Sequence, residues 1–536
     1  MPPPDGAPAA AARRRAALAG NAIGAVLLSP AGRHGLLGLL GAACLTLGGF
    51  AAGAKPRTGS YFDWNHLSGA TSGLTQGIST WLVWVGVLVM VLAWVRLGRA
   101  VLAGGVSLGS ARWTVALWVA PMLLALPMFS RDAYAYLAQG ALLRDGFDPY
   151  VVGPAADPGP LTRSVSPVWR STTAPYGPAF LLLARGITTV TGDHVALGTY
   201  VMRLALLPGL VLMVWALPRI ARRLGGDPVL AVWLGVLNPL VLVHLVAGTH
   251  NDLPMLGLLL AGLLLVLERR HLPGVAVITL ALAVKATAVV ALPFVVWIWM
   301  AHERERARSD GRPEPHRWPL FLRTTGAGLV VGAAVFAALS LAAGVGLGWI
   351  TALSGSSQTV NWLSLPSAVA QLVTGVALWF APLSLTNVLP VSRTVGAVLL
   401  VALLLAIWFR ARPRGRPAVW SPRPPHRRTS GDVQTAVRGI VAALVVLVLL
   451  SPVALPWYYS WSLAVAAGLA LSRRTLVLVV GLSTWLMLVY QPAGDTALYI
   501  WPQVLGAVAA GLLAAWLLVR DMAQDVAQGV THDRHL

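Results

Sequence analysis

Residues 130–150 read SRDAYAYLAQGALLRDGFDPY, and the polar stretch they open runs on to Pro178. It hangs off an apolar run that ends at Phe129, so its first acid, Asp132, stands at the edge of a hydrophobic segment. A carboxylate held at a hydrocarbon boundary is costly to place, which makes it a functional-site candidate. The face of the membrane that this stretch occupies then limits the chemistry open to the protein.

The surrounding chain decides that there is a membrane. Of 536 residues, 57% are hydrophobic and 11% charged, against about 25% charged in soluble domains. Runs near 20 apolar residues, rich in Leu, Val and Ala and without strict alternation, predict helices rather than a barrel. The fold class is an all-α polytopic membrane protein. The 40 Lys and Arg against 19 Asp and Glu sit in short loops between apolar runs. That pattern marks topology and attraction to membrane lipids, not nucleic acid. A single cysteine, Cys44, excludes a disulfide framework or a thiolate metal site.

Helices are expected at 35–54, 79–97, 112–129, 196–218, 228–247 and 252–267, with a split pair over 272–300. Others are expected at 320–344, 391–409, 437–455, 460–472, 475–490 and 498–519, about 14 crossings in all. Residues 1–32, with Arg13, Arg14 and Arg15, are expected to be a disordered cytoplasmic N-terminus before an uncleaved first helix. A single transmembrane domain follows over 33–519, and 520–536 is a cytoplasmic tail. Basic loops at 301–319 and 410–436, with Arg96, Arg99, Arg222, Arg269 and Arg473, all fall on one side, taken as cytoplasmic. Keeping them there requires a hairpin over 272–300 that turns near Lys285 at the outer face. It also requires 177–192 and 366–385 to lie in the outer interface. The loop 130–194 then faces outward, at the plasma membrane of a bacterium-like cell. Sugar nucleotides are scarce on that side, so a transferase there needs a lipid-linked donor.

A helix from Asp132 places Asp132, Tyr136 and Gln139 on one face, at i, i+4 and i+7. A carboxylate, a phenol and an amide suit sugar hydroxyls, and a carboxylate in reach of an attacking hydroxyl is a general base. The plainer alternative is that Asp132 caps the helix after Ser130. Asp145 and Asp148, in RDGFDPY, read as turn residues. His250-Asn251-Asp252 either binds a hydroxyl or phosphate or caps the helix from Leu253. Lys285, a lone cation in an apolar hairpin, takes a lipid phosphate as partner or snorkels to the interface. Arg131, Arg144, Arg163, Arg170 and Arg185 are the other outer cations, any of which suits a phosphate. Trp457 and Tyr458, in PWYYSW at 456–461, stack on a sugar or prenyl chain, or belong to an interfacial aromatic belt. No phosphate loop, dinucleotide fingerprint, zinc motif or nucleophile elbow stands out, and no cofactor or metal is expected.

The sequence RDAYAYLAQGALLRDGFDPYVVGP, followed by VWRSTTAPYGP, resembles the polyprenol-phosphomannose-dependent α-1,6-mannosyltransferases of actinobacteria, members of the GT-C superfamily. The His-Asn-Asp turn, the hairpin Lys and the late Pro-Trp-Tyr segment agree in order, and the likeness spans roughly 110–500. It implies a GT-C-like bundle with a large first catalytic outer loop carrying interfacial helices. It also implies transfer of mannose, with inversion, from polyprenyl-phosphate-mannose to a phosphatidylinositol-mannoside or lipomannan-type acceptor. Asp132 stands where that superfamily carries its base. Arg131, Tyr134, Tyr136, Gln139, Tyr176, His250, Asn251, Asp252, Lys285, Trp457 and Tyr458 are the expected substrate-binding residues. Many GT-C enzymes have a paired acidic motif at this place, whereas this chain has Arg131-Asp132. Another GT-C transferase, arabinosyl- or protein O-mannosyl-, would use a similar loop. A lipid-linked sugar flippase or transporter predicts repeats and midplane charges, and neither stands out.

Overall fold

The computed structural model describes residues 30–57, 73–355, 359–380, 383–415 and 430–527. The expected N-terminal segment up to residue 29, the end of the tail past 527 and most of the basic run at 416–429 lie outside the described residues. What is described is helical, with only isolated β-bridges.

The helices used below are α1 (Pro30–Ala52), α2 (Gly73–Leu102), α3 (Leu108–Met122), α4 (Asp132–Arg144), α5 (Pro178–Thr191), α6 (Val195–Leu224), α7 (Asp252–Leu267), α8 (His271–Val284), α9 (Leu292–Ser309) and α10 (Arg317–Ala343). They continue with α11 (Leu385–Arg410), α12 (Gly431–Leu450), α13 (Arg473–Leu488) and α14 (Trp501–Ala527). Among the described residues, eight helices are long and apolar enough to cross a membrane, nine if the bent pair Pro228–Gly235 and Pro239–Ala247 counts as one. The other expected crossings fall on shorter helices. The longest of these, α7 and α13, have 16 residues. At 1.5 Å per residue such helices reach about 24 Å, short of a 30 Å hydrocarbon core. Expected boundaries move for the same local reason: α3 carries Pro121 near its end and stops at Met122, where a run to 129 was expected.

Close packing fixes the helices that carry the site. A Cβ on Gly257 of α7 would stand 2.3 Å from the Gly209 carbonyl oxygen of α6, so glycine lets the two backbones touch. Trp94 of α2 and Trp233 stack at 5.1 Å, and each indole N–H donates to the other's carbonyl, at 2.9 and 2.8 Å.

The hairpin expected over 272–300 is present. His271 at the start of α8 meets His302 of α9, with Nε2 and Nδ1 2.9 Å apart. Lys285 therefore lies at the far turn, between Val284 and the 3-10 turn Ala286–Ala291. Paired arginines gather at the His271 end, where Arg269 meets Glu305 at 2.7 Å and Arg223 meets Glu268 at 3.0 Å. Asp252 begins α7 and Glu268 caps its other end. The Asp252–Lys285 end and the arginine end are thus opposite ends of the same helices. The two segments expected at an interface are the short apolar helices α5 and Leu365–Ala377.

Candidate active site

Three pieces of backbone converge at the Lys285 end. In the first, Phe129 adopts φ 61° and its N–H donates to the Pro492 carbonyl at 2.8 Å. Asp132 follows as the first residue of α4, and its N–H donates to Ser130 Oγ at 3.1 Å. Asp132 is thus inside the helix rather than its cap, which is Arg131 and has no side-chain capping bond. In the second, a π-helical turn over Leu242–Ala247 leads to Thr249 at φ 60°, then to His250, Asn251 and Asp252. Non-glycine residues in this left-handed region store strain that surrounding structure must hold, and such positions concentrate at functional sites. Arg203 of α6 ties the two pieces together. Its guanidinium donates to the carbonyls of Leu123, Val246 and Ala247 at 3.1–3.2 Å. The third piece is the break at Lys285, which bridges to Tyr176.

At the centre, Asp132 Oδ2 lies 3.5 Å from His250 Nδ1. The Tyr136 hydroxyl is 3.4 Å from the same Nδ1 and 3.4 Å from Asn251 Oδ1. His250 stacks on Trp457 at 4.0 Å. Burial, with the neighbouring His244 and Lys285 adding to it, holds the His250 pKa well below its ordinary value. That direction favours the neutral imidazole, and the tautomer with Nδ1–H toward the Asp132 carboxylate leaves Nε2, which has no partner among the described residues, as the free acceptor. Burial pushes the Asp132 carboxyl up to about 6, against the pull of Lys285 and Ser130 and with a small push from Asp252.

Asp252 is held differently. Both its oxygens take Lys285 Nζ at 2.8 Å, and the Trp461 indole N–H donates to one of them. Lys285 also lies 5.0 Å over Tyr458 and 5.4 Å over Trp461. The lone cation of the sequence reading is therefore corrected: Lys285 is paired within the protein. Asp252 is fully enclosed, while the Asp132 side chain is 17% exposed. Of the two acids, only Asp132 is both uncommitted to a cation and reachable.

Asp132, Tyr136, Tyr176, His250, Asn251, Asp252, Lys285, Trp457 and Tyr458 come together; Tyr136 and Tyr176 meet edge-on at 5.2 Å. Three expected residues do not join them. Arg131 turns to the carbonyls of Ser164 and Lys55, and the Tyr134 hydroxyl donates to the Ala54 carbonyl. Gln139 is buried further along α4, its Oε1 without a partner. Asp145 pairs with Arg144 at 2.7 Å and Asp148 accepts the Tyr150 N–H at 2.8 Å, both acting as turn residues. Sequence reasoning missed Thr249, His244 and Arg203, and it offered Trp461 only as part of the aromatic segment 456–461. Arg203 left a signal, a cation inside an apolar run. Among the described residues, no group of three His, Cys, Asp or Glu side chains is placed to hold a metal ion.

Long apolar helices, with a carboxylate set beside an imidazole at one end of their bundle, define a multi-pass helical membrane protein. The chain belongs to the alpha-(1->6)-mannopyranosyltransferase family of glycosyltransferases. Its residues 35–301 match the family's N-terminal domain, and residues 426–520 match the MptB C-terminal domain. It is 43% identical to alpha-(1->6)-mannopyranosyltransferase A of Mycobacterium tuberculosis, over 94% of this chain and 93% of the relative. With alpha-(1->6)-mannopyranosyltransferase A of Corynebacterium glutamicum it shares 37%, over 88% and 95%. With alpha-(1->6)-mannopyranosyltransferase B of that organism it shares 33%, over 81% and 72%. No solved structure matches the chain.

Proposed function

We propose that the protein transfers mannose from polyprenyl-phosphate-mannose to a lipid-linked mannan acceptor, a phosphatidylinositol-mannoside or lipomannan, forming an α-1,6 bond with inversion on the outer face of the plasma membrane. The observation that carries this reading is the position of Asp132. It is an unpaired, partly open carboxylate beside a neutral imidazole, at the end of the bundle opposite the arginine-rich loops. Arginine-rich loops stay cytoplasmic, which puts the acid outside, where a lipid brings the sugar. N- and C-termini are then cytoplasmic.

In this mechanism Asp132 accepts the proton of the acceptor's 6-hydroxyl as that oxygen attacks the anomeric carbon. The bond from that carbon to the phosphate oxygen breaks, and polyprenyl phosphate leaves with the electron pair. A single displacement from one face inverts the centre. A carboxyl titrating near 6 is ionised at neutral pH and still basic enough to take a proton. His250 fixes the carboxylate's direction. Lys285, held by Asp252, supplies positive potential as negative charge grows on the departing phosphate. Trp457, Tyr458 and Tyr176 offer faces for the sugar ring, and apolar helix surfaces take the prenyl chain.

The test is to give the purified protein polyprenyl-phosphate-mannose and a short α-1,6-mannoside. Extension of the acceptor by one α-1,6-linked hexose supports the reading. Movement of labelled lipid across liposomes without a new glycosidic bond overturns it in favour of a flippase.

A further inference from the structure

Five basic residues lie on or beside one small helix near Asp132. The Arg131 guanidinium donates from Nε and Nη2 to the Ser164 carbonyl, at 3.1 and 2.9 Å, and from Nη2 to the Lys55 carbonyl at 2.8 Å. The Arg57 backbone N–H donates to Ser164 Oγ at 3.2 Å. Arg170 Nη2 donates to the Arg163 carbonyl at 2.9 Å, and Ser164 ends the helix Pro160–Ser164. Backbone of Lys55, Arg57 and Arg163 and the side chains of Arg131 and Arg170 thus come together from three separate stretches of chain.

Among the described residues, these cations lack the acidic partners that Arg144, Arg304 and Arg308 have. Arg144 takes Asp145 and Asp193, and Arg304 and Arg308 both take Glu314. Among the described residues, no carboxylate forms an ion pair with any of the five. The Arg131 and Arg170 guanidiniums donate to backbone carbonyls, which orient them without neutralising them. Among the described residues, Arg170 Nε is buried with no partner, and Arg131 donates from Nε and Nη2 only. The Arg131 pKa is lowered, by burial first and then by the Arg57 and Arg170 charges, with Asp495 as the acid that pulls the other way. Like charges gathered in a partly dry place repel unless an anion joins them. Fixed guanidinium forks with free N–H groups match phosphate oxygens.

We infer that Arg131 and Arg170, backed by Lys55, Arg57 and Arg163, form a binding site for a lipid-borne phosphate beside Asp132. This rests on the proposed reading that the substrates are lipid-linked. Two lipids in that reading carry the group: the polyprenyl donor, as a phosphate ester, and a phosphatidylinositol-based acceptor, as a phosphodiester. Lys285 is already occupied by Asp252, whereas the Arg131 and Arg170 guanidiniums keep donors to offer a phosphate beside Asp132.

The experiment measures binding of polyprenyl phosphate, of phosphatidylinositol and of uncharged polyprenol to the full chain in detergent, over a range of salt. The proteins are wild type, Arg131→Gln/Arg170→Gln and the charge-keeping Arg131→Lys/Arg170→Lys. Thermal unfolding shows that each is folded. For one of the two phosphates, affinity should fall with salt and drop about tenfold or more in the Gln pair. The Lys pair should keep part of it, and polyprenol should bind all three alike. The lipid that responds identifies the source of the phosphate. Equal binding of both phosphates by wild type and the Gln pair overturns the site, while mannose transfer by wild type in the same preparation leaves the donor reading standing. Conversely, arginine-dependent binding of phosphatidylinositol, with no polyprenyl phosphate binding and no transfer, keeps the site and removes the donor reading.

Discussion

Asp132 Oδ2 and His250 Nδ1 lie 3.5 Å apart, each following a residue in a left-handed backbone conformation, Phe129 and Thr249. The carboxylate and the imidazole come from distant parts of the chain and are held by strained turns cross-braced through Arg203. If His250 aims the carboxylate, His250→Phe keeps a ring on Trp457 but removes Nδ1. Transfer should slow by about a hundredfold or less, a smaller loss than removing the base itself. Turnover under saturating donor measures it, and an unchanged rate removes His250 from the mechanism.

The raised carboxyl predicts a pH limb. A base must be ionised, so kcat/KM should fall as pH drops through about 6, with a one-proton slope. The same shift bears on stability. Asp132 binds its proton more tightly folded than unfolded, so its contribution to stability is full at low pH and is lost as pH rises from the ordinary carboxyl value through about 6. Asp132→Asn should therefore melt higher than wild type at neutral pH, as thermal unfolding would show.

The Lys285–Asp252 pair predicts a cost and a rescue. Lys285→Met leaves the enclosed Asp252 carboxylate without its cation and should destabilise by about 3 to 5 kcal/mol. Adding Asp252→Asn should recover much of that loss without restoring transfer. Unfolding midpoints of the single and double variants decide it, and additive losses would contradict the pairing.

The placement of the two ends predicts labelling. In a Cys44→Ser background, Ala156→Cys lies in the exposed loop beyond Tyr150 and Asp310→Cys lies in the loop between α9 and α10. A membrane-impermeant thiol reagent applied to intact cells should modify the first and not the second. The reverse pattern would put Asp132 in the cytoplasm.

Much of the site was legible in the sequence because polar residues in apolar chain are conspicuous. Asp132, Tyr136, the His250–Asp252 turn, Lys285 and Trp457 each interrupt or border an apolar run, and they do meet. The hairpin turning at Lys285 followed from the arginines on both flanks. What sequence alone could not supply was partnership. Lys285 looked solitary because Asp252 pairs with it from another element. Arg131 and Tyr134 flank Asp132 in sequence, yet their side chains turn away from His250, to Ser164, Lys55 and Ala54. Gln139 shares the spacing of Asp132 and Tyr136, but two turns of helix carry it past the His250 turn. Helix ends shifted for a related reason: Pro121 and the strained turns at Phe129 and Thr249 break runs that composition reads as continuous.

The most direct measurement compares wild type with folded Asp132→Asn in transfer from polyprenyl-phosphate-mannose to a short α-1,6-mannoside. Wild type should lengthen the acceptor by one α-1,6-linked mannose. Asp132→Asn should retain polyprenyl phosphate binding while losing about a hundredfold or more in turnover. Transfer at the wild-type rate by Asp132→Asn would contradict Asp132 as the base.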